Sequence, residues 1–148
     1  MKCPFCRETV TEVFNSRDTR SSNQIWRRRR CKSCKEPFTT YEAIDLGFIN
    51  IQKRNGKIEA YSKAKLYSSI YSSLSGTDFD QNVVDAITDT IENKMLDKKT
   101  NTVKADDLAY ITLITLRHFN TAGFLRYLSL QTQLTNNSEL KKELKKYS

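Results

Sequence analysis

Every cysteine in this chain of 148 residues falls within its first 34 positions, as two knuckles, Cys3-Pro4-Phe5-Cys6 and Cys31-Lys32-Ser33-Cys34. A Cys-x-x-Cys turn places two thiolates on the same side of one backbone bend. Two such turns supply the four sulfurs that a structural zinc ion takes tetrahedrally, with no position left open for catalysis. The rival reading is a pair of disulfides, but no export signal precedes Cys3, and cysteines in reducing compartments seldom stay paired. The spacing therefore predicts a zinc ion held by Cys3, Cys6, Cys31 and Cys34. A module of roughly 45 residues is too short to bury an adequate apolar core, so its folding free energy has to come largely from the metal.

Confinement of cysteine to the start divides the chain. The expected domains are a metal-stapled module over residues 1–46, a larger metal-free domain over 47–136, and a charged C-terminal tail over 137–148. Net charge is +8 with a pI near 9.4, which favours polyanionic partners. The first 46 residues hold ten Lys or Arg against six Asp or Glu, with four arginines adjacent; the remainder holds fifteen against eleven, dispersed. The cysteine module is thus the expected polyanion face. No apolar run reaches the roughly 18 residues that a membrane helix needs, so a soluble, intracellular, cytoplasmic protein with no membrane partner is expected.

The fold class expected is α+β. Val10 to Phe14, Gln24 to Arg30 and Pro37 to Ile44 read as strands of a small antiparallel sheet, with the polar stretch Ser16 to Asn23 between the first two. Phe48 to Lys53 alternates apolar and polar residues, and Asn55-Gly56 offers a type I′ turn, which together predict a hairpin over about 48–60. Helical periodicity follows in four segments: Leu66, Ile70 and Leu74 after a capping Ser62; Val83, Val84, Ile87, Ile91 and Met95; Leu108, Ile111 and Phe119; and Leu125 with Leu128 in a segment from Thr121 to Leu134. Four lysines, Lys141, Lys142, Lys145 and Lys146, make the tail from Glu139 to Lys146 read as a frayed, solvated end in preference to a charged helix.

Little here suggests catalysis. The single histidine, His118, has no triad-like or metal-like partner in the sequence, and neither a phosphate-binding P-loop nor a dinucleotide fingerprint occurs. Asp78 with Asp80, and Asp106 with Asp107, fall where helices begin, where carboxylates complement the helix dipole and cap free amides. No catalytic residue is expected and the protein is read as a non-enzyme. The arginine run is different. Arg27, Arg28, Arg29 and Arg30 on one strand alternate between its two faces, and guanidinium forks suit phosphate oxygens or guanine edges. Arg17 and Arg20 extend the surface from the connecting loop. Trp26 could stack on a base or sugar, but packing in the module's small core is the preferred reading. A third constellation joins Lys53, Arg54, Asn55 and Gly56 in a tight turn to Glu59, Tyr61 and Lys65. Its cations could surround a phosphate and Glu59 could accept from an amino group, but spacing alone favours an ordinary charged hairpin.

Taken in order, these parts resemble the NrdR family, bacterial repressors of ribonucleotide reductase operons, over nearly the whole chain. Cys3-Pro4-Phe5-Cys6, Asn15-Ser16-Arg17, the arginine run and Phe38-Thr39-Thr40-Tyr41-Glu42 look like that family's zinc-ribbon DNA-binding domain. Ile51 to Leu66 is similar to the opening of its ATP-cone, and Phe124-Leu125-Arg126-Tyr127-Leu128-Ser129 to a later segment of it. The arginine run stands one residue late relative to the family pattern. The resemblance implies a zinc-dependent transcriptional repressor that responds to ATP and dATP, binds double-stranded operator DNA through Arg17 and Arg27 to Arg30, and forms nucleotide-dependent homo-oligomers. It also implies that adenine nucleotides bind at Lys53, Arg54, Asn55, Gly56, Glu59 and Lys65. The competing expectations are an RNA- or ribosome-associated zinc ribbon, which should prefer structured RNA to duplex DNA, and an allosteric accessory of a reductase.

Overall fold

In the computed structural model, which describes residues 1–19, 24–132 and 136–147, the chain divides into two units, Met1–Asp45 and Leu46–Ser148. Three strands make up the first: β1 (Thr11–Asp18), β2 (Gln24–Cys31) and β3 (Pro37–Ala43), antiparallel in the order β1-β2-β3. The arginine strand is therefore central, with both of its edges hydrogen-bonded and only its faces free. A bulge between Val13 and Asn15 shifts the β1–β2 register by one residue and sets Phe14 outside the ladder. Strand β1 runs four residues further than the alternation of Val10 to Phe14 indicates, so Arg17 lies on a strand opposite Trp26 instead of in a loop. Arg20 lies outside the described residues.

Among the described residues of this unit only Cys3 and Cys31 are buried. Its aromatic and aliphatic side chains line the sheet without closing over one another; Phe5, Phe14 and Tyr41 are each at least half exposed. The folding free energy of such a unit cannot reside in an apolar core.

A short 3-10 turn (Leu46–Phe48) opens the second unit. It continues through β4 (Asn50–Gln52), β5 (Ile58–Ala60), α1 (Lys63–Leu74), α2 (Gln81–Asp97), β6 (Thr102–Lys104), α3 (Ala105–Phe119), α4 (Thr121–Gln131) and α5 (Asn137–Lys145). The expected hairpin is β4–β5, but the turn is not type I′, which needs positive φ at both central residues. Only Gly56 of this turn has positive φ, at 81°. The amide of Gly56 donates to the Lys53 carbonyl at 2.9 Å, and that of Lys53 to the Lys57 carbonyl at 2.8 Å. This is a three-residue loop with glycine in the bulge position, and the Asn55 Oδ1 accepts from the Lys57 amide at 3.0 Å.

Two further elements escaped the periodicity. Strand β6 adds to β4 in parallel, Ile51 beside Val103, making the sheet three-stranded in the order β5-β4-β6. Three residues are too few to show alternation. The tail, in turn, is helical. Asn136 accepts from the Glu139 amide at 2.9 Å and caps α5; Leu144 and Tyr147 pack on the core of the unit, with the Tyr147 ring 5.5 Å from that of Tyr110 and 5.8 Å from that of Phe124. Lysine content alone suggested fraying, whereas apolar residues spaced for one helix face decide the matter.

The helical core gathers Ile70 and Leu74 from α1, Val84, Ile87, Ile91 and Met95 from α2, Leu113 and Leu116 from α3 and Leu128 from α4 around Ile49, just before β4, and Val103 of β6. Side-chain caps on Ser62, Asp80 and Asn120 start α1, α2 and α4. Helices α1 and α4 meet closely at Gly123, where an added Cβ would lie 2.6 Å from the Leu74 Cδ2. Phe119 and Leu125, expected on buried stripes, are instead 50% and 42% exposed, and Leu116, Phe124 and Tyr127 fill the interior in their place.

Candidate metal centre, arginine face and nucleotide cleft

The two knuckles share one geometry. In each, the residue after the second cysteine of the turn adopts left-handed backbone, Arg7 at φ 66° and Lys35 at φ 64°. In each, that residue's amide donates to the carbonyl of the first cysteine, Arg7 to Cys3 at 3.0 Å and Lys35 to Cys31 at 3.1 Å. Two non-glycine residues in that region cost about 1–3 kcal/mol each and persist where the surroundings over-determine them. What they achieve is convergence. The Sγ atoms of Cys3 and Cys34 lie 3.7 Å apart, those of Cys6 and Cys31 3.5 Å apart, and all four fall within 4.8 Å of one another.

Tetrahedral zinc with bonds of about 2.3 Å demands sulfurs about 3.8 Å apart, whereas a disulfide would bring them to about 2.05 Å. The residues fit the metal, and the disulfide reading is excluded. The electrostatics agree. The amide of Cys34 leads the interactions that draw the Cys31 thiol down to about 6. At Cys34 the amide of Glu36 pulls the same way, but burial and the neighbouring sulfurs of Cys6, Cys3 and Cys31 outweigh it and push that thiol up to about 12. Thiolates this close repel one another, and a dication supplies the compensation.

The arginines of β2 are each engaged. On one sheet face, Arg27 Nη2 meets Glu42 Oε2 at 2.7 Å and Arg29 Nε donates to Thr40 Oγ1 at 2.9 Å. On the other, Arg28 Nη1 donates to Thr39 Oγ1 at 2.9 Å, the Arg30 guanidinium lies 4.9 Å from the centre of the Phe14 ring, and that of Arg17 lies 5.7 Å from the centre of Trp26. Trp26 is half-buried within the sheet. The threonines and Glu42 that hold the arginines lie one strand away and have no signature in the arginine run itself.

In the second unit the structure separates residues that the sequence grouped. Lys53 Nζ and Lys65 Nζ both meet Glu59 Oε1, at 2.9 and 3.1 Å, and Lys53 first, then Lys65, hold that carboxyl below its usual range. These three line a cleft of about 130 Å³ with Ile51, Tyr61, Leu108 and Tyr127. Tyr127 comes from α4 and Leu108 from α3, and neither was assigned to the site from sequence. Asn55 and Gly56 shape the turn without lining the cleft. Arg54 points elsewhere: its Nε donates to Asp106 Oδ1 at 2.7 Å, and it lines a second cleft of about 560 Å³ with Tyr110, Gln131 and Tyr147. Tyr61, expected near the ligand, donates to Glu92 Oε1 at 2.9 Å, and Glu92 also pairs with Lys63 at 2.9 Å. Asp80 caps a helix as expected, while Asp106 and Asp107 pair with Arg54 and Lys98 in the first turn of α3.

A sulfur-held ribbon carrying an arginine strand, joined to a helical unit with a lysine-lined cleft, defines a metal-stabilised nucleic-acid regulator with a ligand-sensing domain. Comparison with known proteins narrows the class. Residues 1–42 match the model described as "Transcriptional repressor NrdR-like, N-terminal domain", and residues 49–134 match the ATP cone domain. Proteins named "Transcriptional repressor NrdR" from Thermosynechococcus vestitus (33% identical, 97% of this chain and 89% of the relative), Cupriavidus metallidurans (32%, 100% and 96%) and Bordetella petrii (35%, 88% and 82%) align over most of their lengths. The chain belongs to the NrdR family of transcriptional repressors. It is a regulator, not an enzyme, with zinc as its structural metal and an ATP-cone for nucleotide effectors. Among the described residues, no helix is long and apolar enough to cross a membrane.

Proposed function

We propose that this repressor acts on the operators of ribonucleotide reductase genes in the cytoplasm, gripping duplex DNA through the arginine-bearing sheet of its zinc ribbon. ATP or dATP sets the homo-oligomeric form that brings ribbons onto paired sites. The observation that carries the reading is the pairing, in one chain, of a cysteine-braced arginine strand with the Lys53–Glu59–Lys65 cleft. Both lysines are partly exposed, at 42% and 69%, and available to phosphate oxygens. The cleft is smaller than the roughly 300–1,000 Å³ of most ligand pockets, so part of a nucleotide would extend over the turn formed by Arg54, Asn55 and Gly56. Arg54 would then have to leave Asp106 to reach a phosphate. Nucleotide can change DNA affinity only through its differential affinity for the oligomeric forms, and ribbons held at the right separation gain effective concentration.

The test joins light scattering of the zinc-loaded protein, without nucleotide, with ATP and with dATP, to operator retention in each state. Particle mass and retention should change together between the two nucleotides. Lys53→Ala should weaken both nucleotides at least about fivefold with zinc content intact. Retention indifferent to the nucleotide, or unaltered affinity in Lys53→Ala, refutes the reading.

A further inference from the structure

Because the arginine strand is the central one, its backbone is saturated on both sides, and duplex can reach it only across a sheet face. Register and alternation assign every charged side chain of the ladder to one face or the other. Arg27 and Arg29 share a face with Asp18 and Glu42. Two cations meet two anions, and the charge of that face cancels. Arg27 is moreover committed to Glu42 at 2.7 Å, its side chain is only 28% exposed, and its Nε is buried without a partner. Arg17, Arg28 and Arg30 share the opposite face with a single carboxylate, Glu12, which is drawn off towards Lys32 at 3.5 Å. That face also carries Trp26 and, in register beside it, Tyr41 at 63% exposure.

Resting on the proposed DNA grip, we infer that the duplex lies against one face of the ribbon only, the one bearing Arg17, Arg28, Arg30 and Tyr41. Arg27 and Arg29 are positioning residues that hold β2 against β3 from behind. An uncompensated cationic face attracts the phosphate backbone, and each phosphate neutralised adds about 0.9 to the dependence of log K on log salt. A face of cancelled charge adds nothing to that slope. Threonines hold Arg28 and Arg29 alike, so side-chain restraint does not separate them; the charge around them does.

Arg28→Gln and Arg29→Gln form a matched pair. Each removes one positive charge from adjacent positions, each loses one hydrogen bond to a threonine, and they differ in face. Binding of the full-length, zinc-loaded protein to a labelled mixed-sequence duplex of about 30 base pairs is titrated across salt. Arg28→Gln should weaken binding at least about fivefold and lower the slope by about one per engaged ribbon. Arg29→Gln should leave the slope unchanged and affinity within about twofold. Equal losses, or a larger loss for Arg29→Gln, overturn the face assignment while leaving DNA binding standing. A wild-type protein without salt-dependent duplex binding overturns the DNA reading itself. Should either glutamine variant lose zinc, a photocrosslinking phenylalanine analogue at Tyr41 or at Phe38, on opposite faces, decides the same question. Crosslinking to duplex from position 41 and not 38 supports the inference, and the reverse, or both equally, refutes it.

Discussion

Removing the metal should unfold residues 1–45 and leave the remainder standing. A fully buried Val, Leu, Ile or Phe contributes about 1.5–3 kcal/mol, and among the described residues of the ribbon none of these is buried; only Cys3 and Cys31 are. Ordering each residue costs about 1–2 kcal/mol of backbone entropy. Structural zinc in comparably small modules supplies about 10–16 kcal/mol at neutral pH, as much as the whole stability of a typical domain, about 5–15 kcal/mol. The second unit has its own core, from Ile49 to Leu128, with no cysteine in it. Treatment with a tight chelator under reducing conditions should therefore collapse the backbone amide resonances of β1, β2 and β3 to unfolded positions while those of α1 to α4 stay in place. One equivalent of zinc should restore them. Cys34→Ser should mimic chelation in the presence of zinc. Acid should act in the same direction, because protons compete with the metal for four sulfurs, one of which ionises only near 12 when no cation compensates it. Hydrogen-exchange protection of β2 amides surviving in the metal-free protein would refute the reasoning, since the described residues of the ribbon bury no apolar core to hold it.

Three more outcomes are expected in the second unit. Burial first, and then the charge of Glu92, raise the Tyr61 hydroxyl's pKa above its ordinary value. A raised folded-state pKa contributes stability that is complete below about 10 and is lost as pH climbs beyond it, so wild type should lose more stability than Tyr61→Phe between neutral and strongly alkaline pH in denaturant melts. Truncation after Asn136 removes Leu144 and Tyr147 from the core; about 2 kcal/mol of lost burial should lower the melting temperature of this unit by about 10 °C, and an unchanged melting temperature would return the tail to the frayed reading. Gly56→Ala meets no atom within 4 Å but places a side chain at φ +81°, which should cost about 1–2 kcal/mol in chemical denaturation without changing zinc content.

How much of this was readable in advance follows from the range of the forces involved. The tetrathiolate was legible because metal-ligand spacing is a short-range covalent constraint: two turns of four residues each fix their own sulfurs, and only the 3.5 and 3.7 Å approaches between the turns needed the fold. Helices α1 to α4 were legible because a period of 3.6 residues repeats within one segment. Strand β6 was not, since three residues show no period, and their strand character comes from Ile51 and its neighbours some fifty positions earlier. The tail misled because lysines announce solvation, while its docking depends on Tyr110 and Phe124, far away in sequence.

The candidate site divides along the same line. Sequence alone determined which residue types were present, in which order, and hence the metal-stapled cationic strand, while the nucleotide-sensing role of the second domain came from the resemblance to the NrdR family; composition and local spacing are properties of a chain before it folds. Only tertiary structure decided which of those charges remain available. Arg54 is turned aside by Asp106, Arg27 is cancelled by Glu42, and Lys53 and Lys65 converge on one Glu59 oxygen. Coulombic compensation depends on distance through space, and these partners lie between 6 and 52 positions apart along the chain.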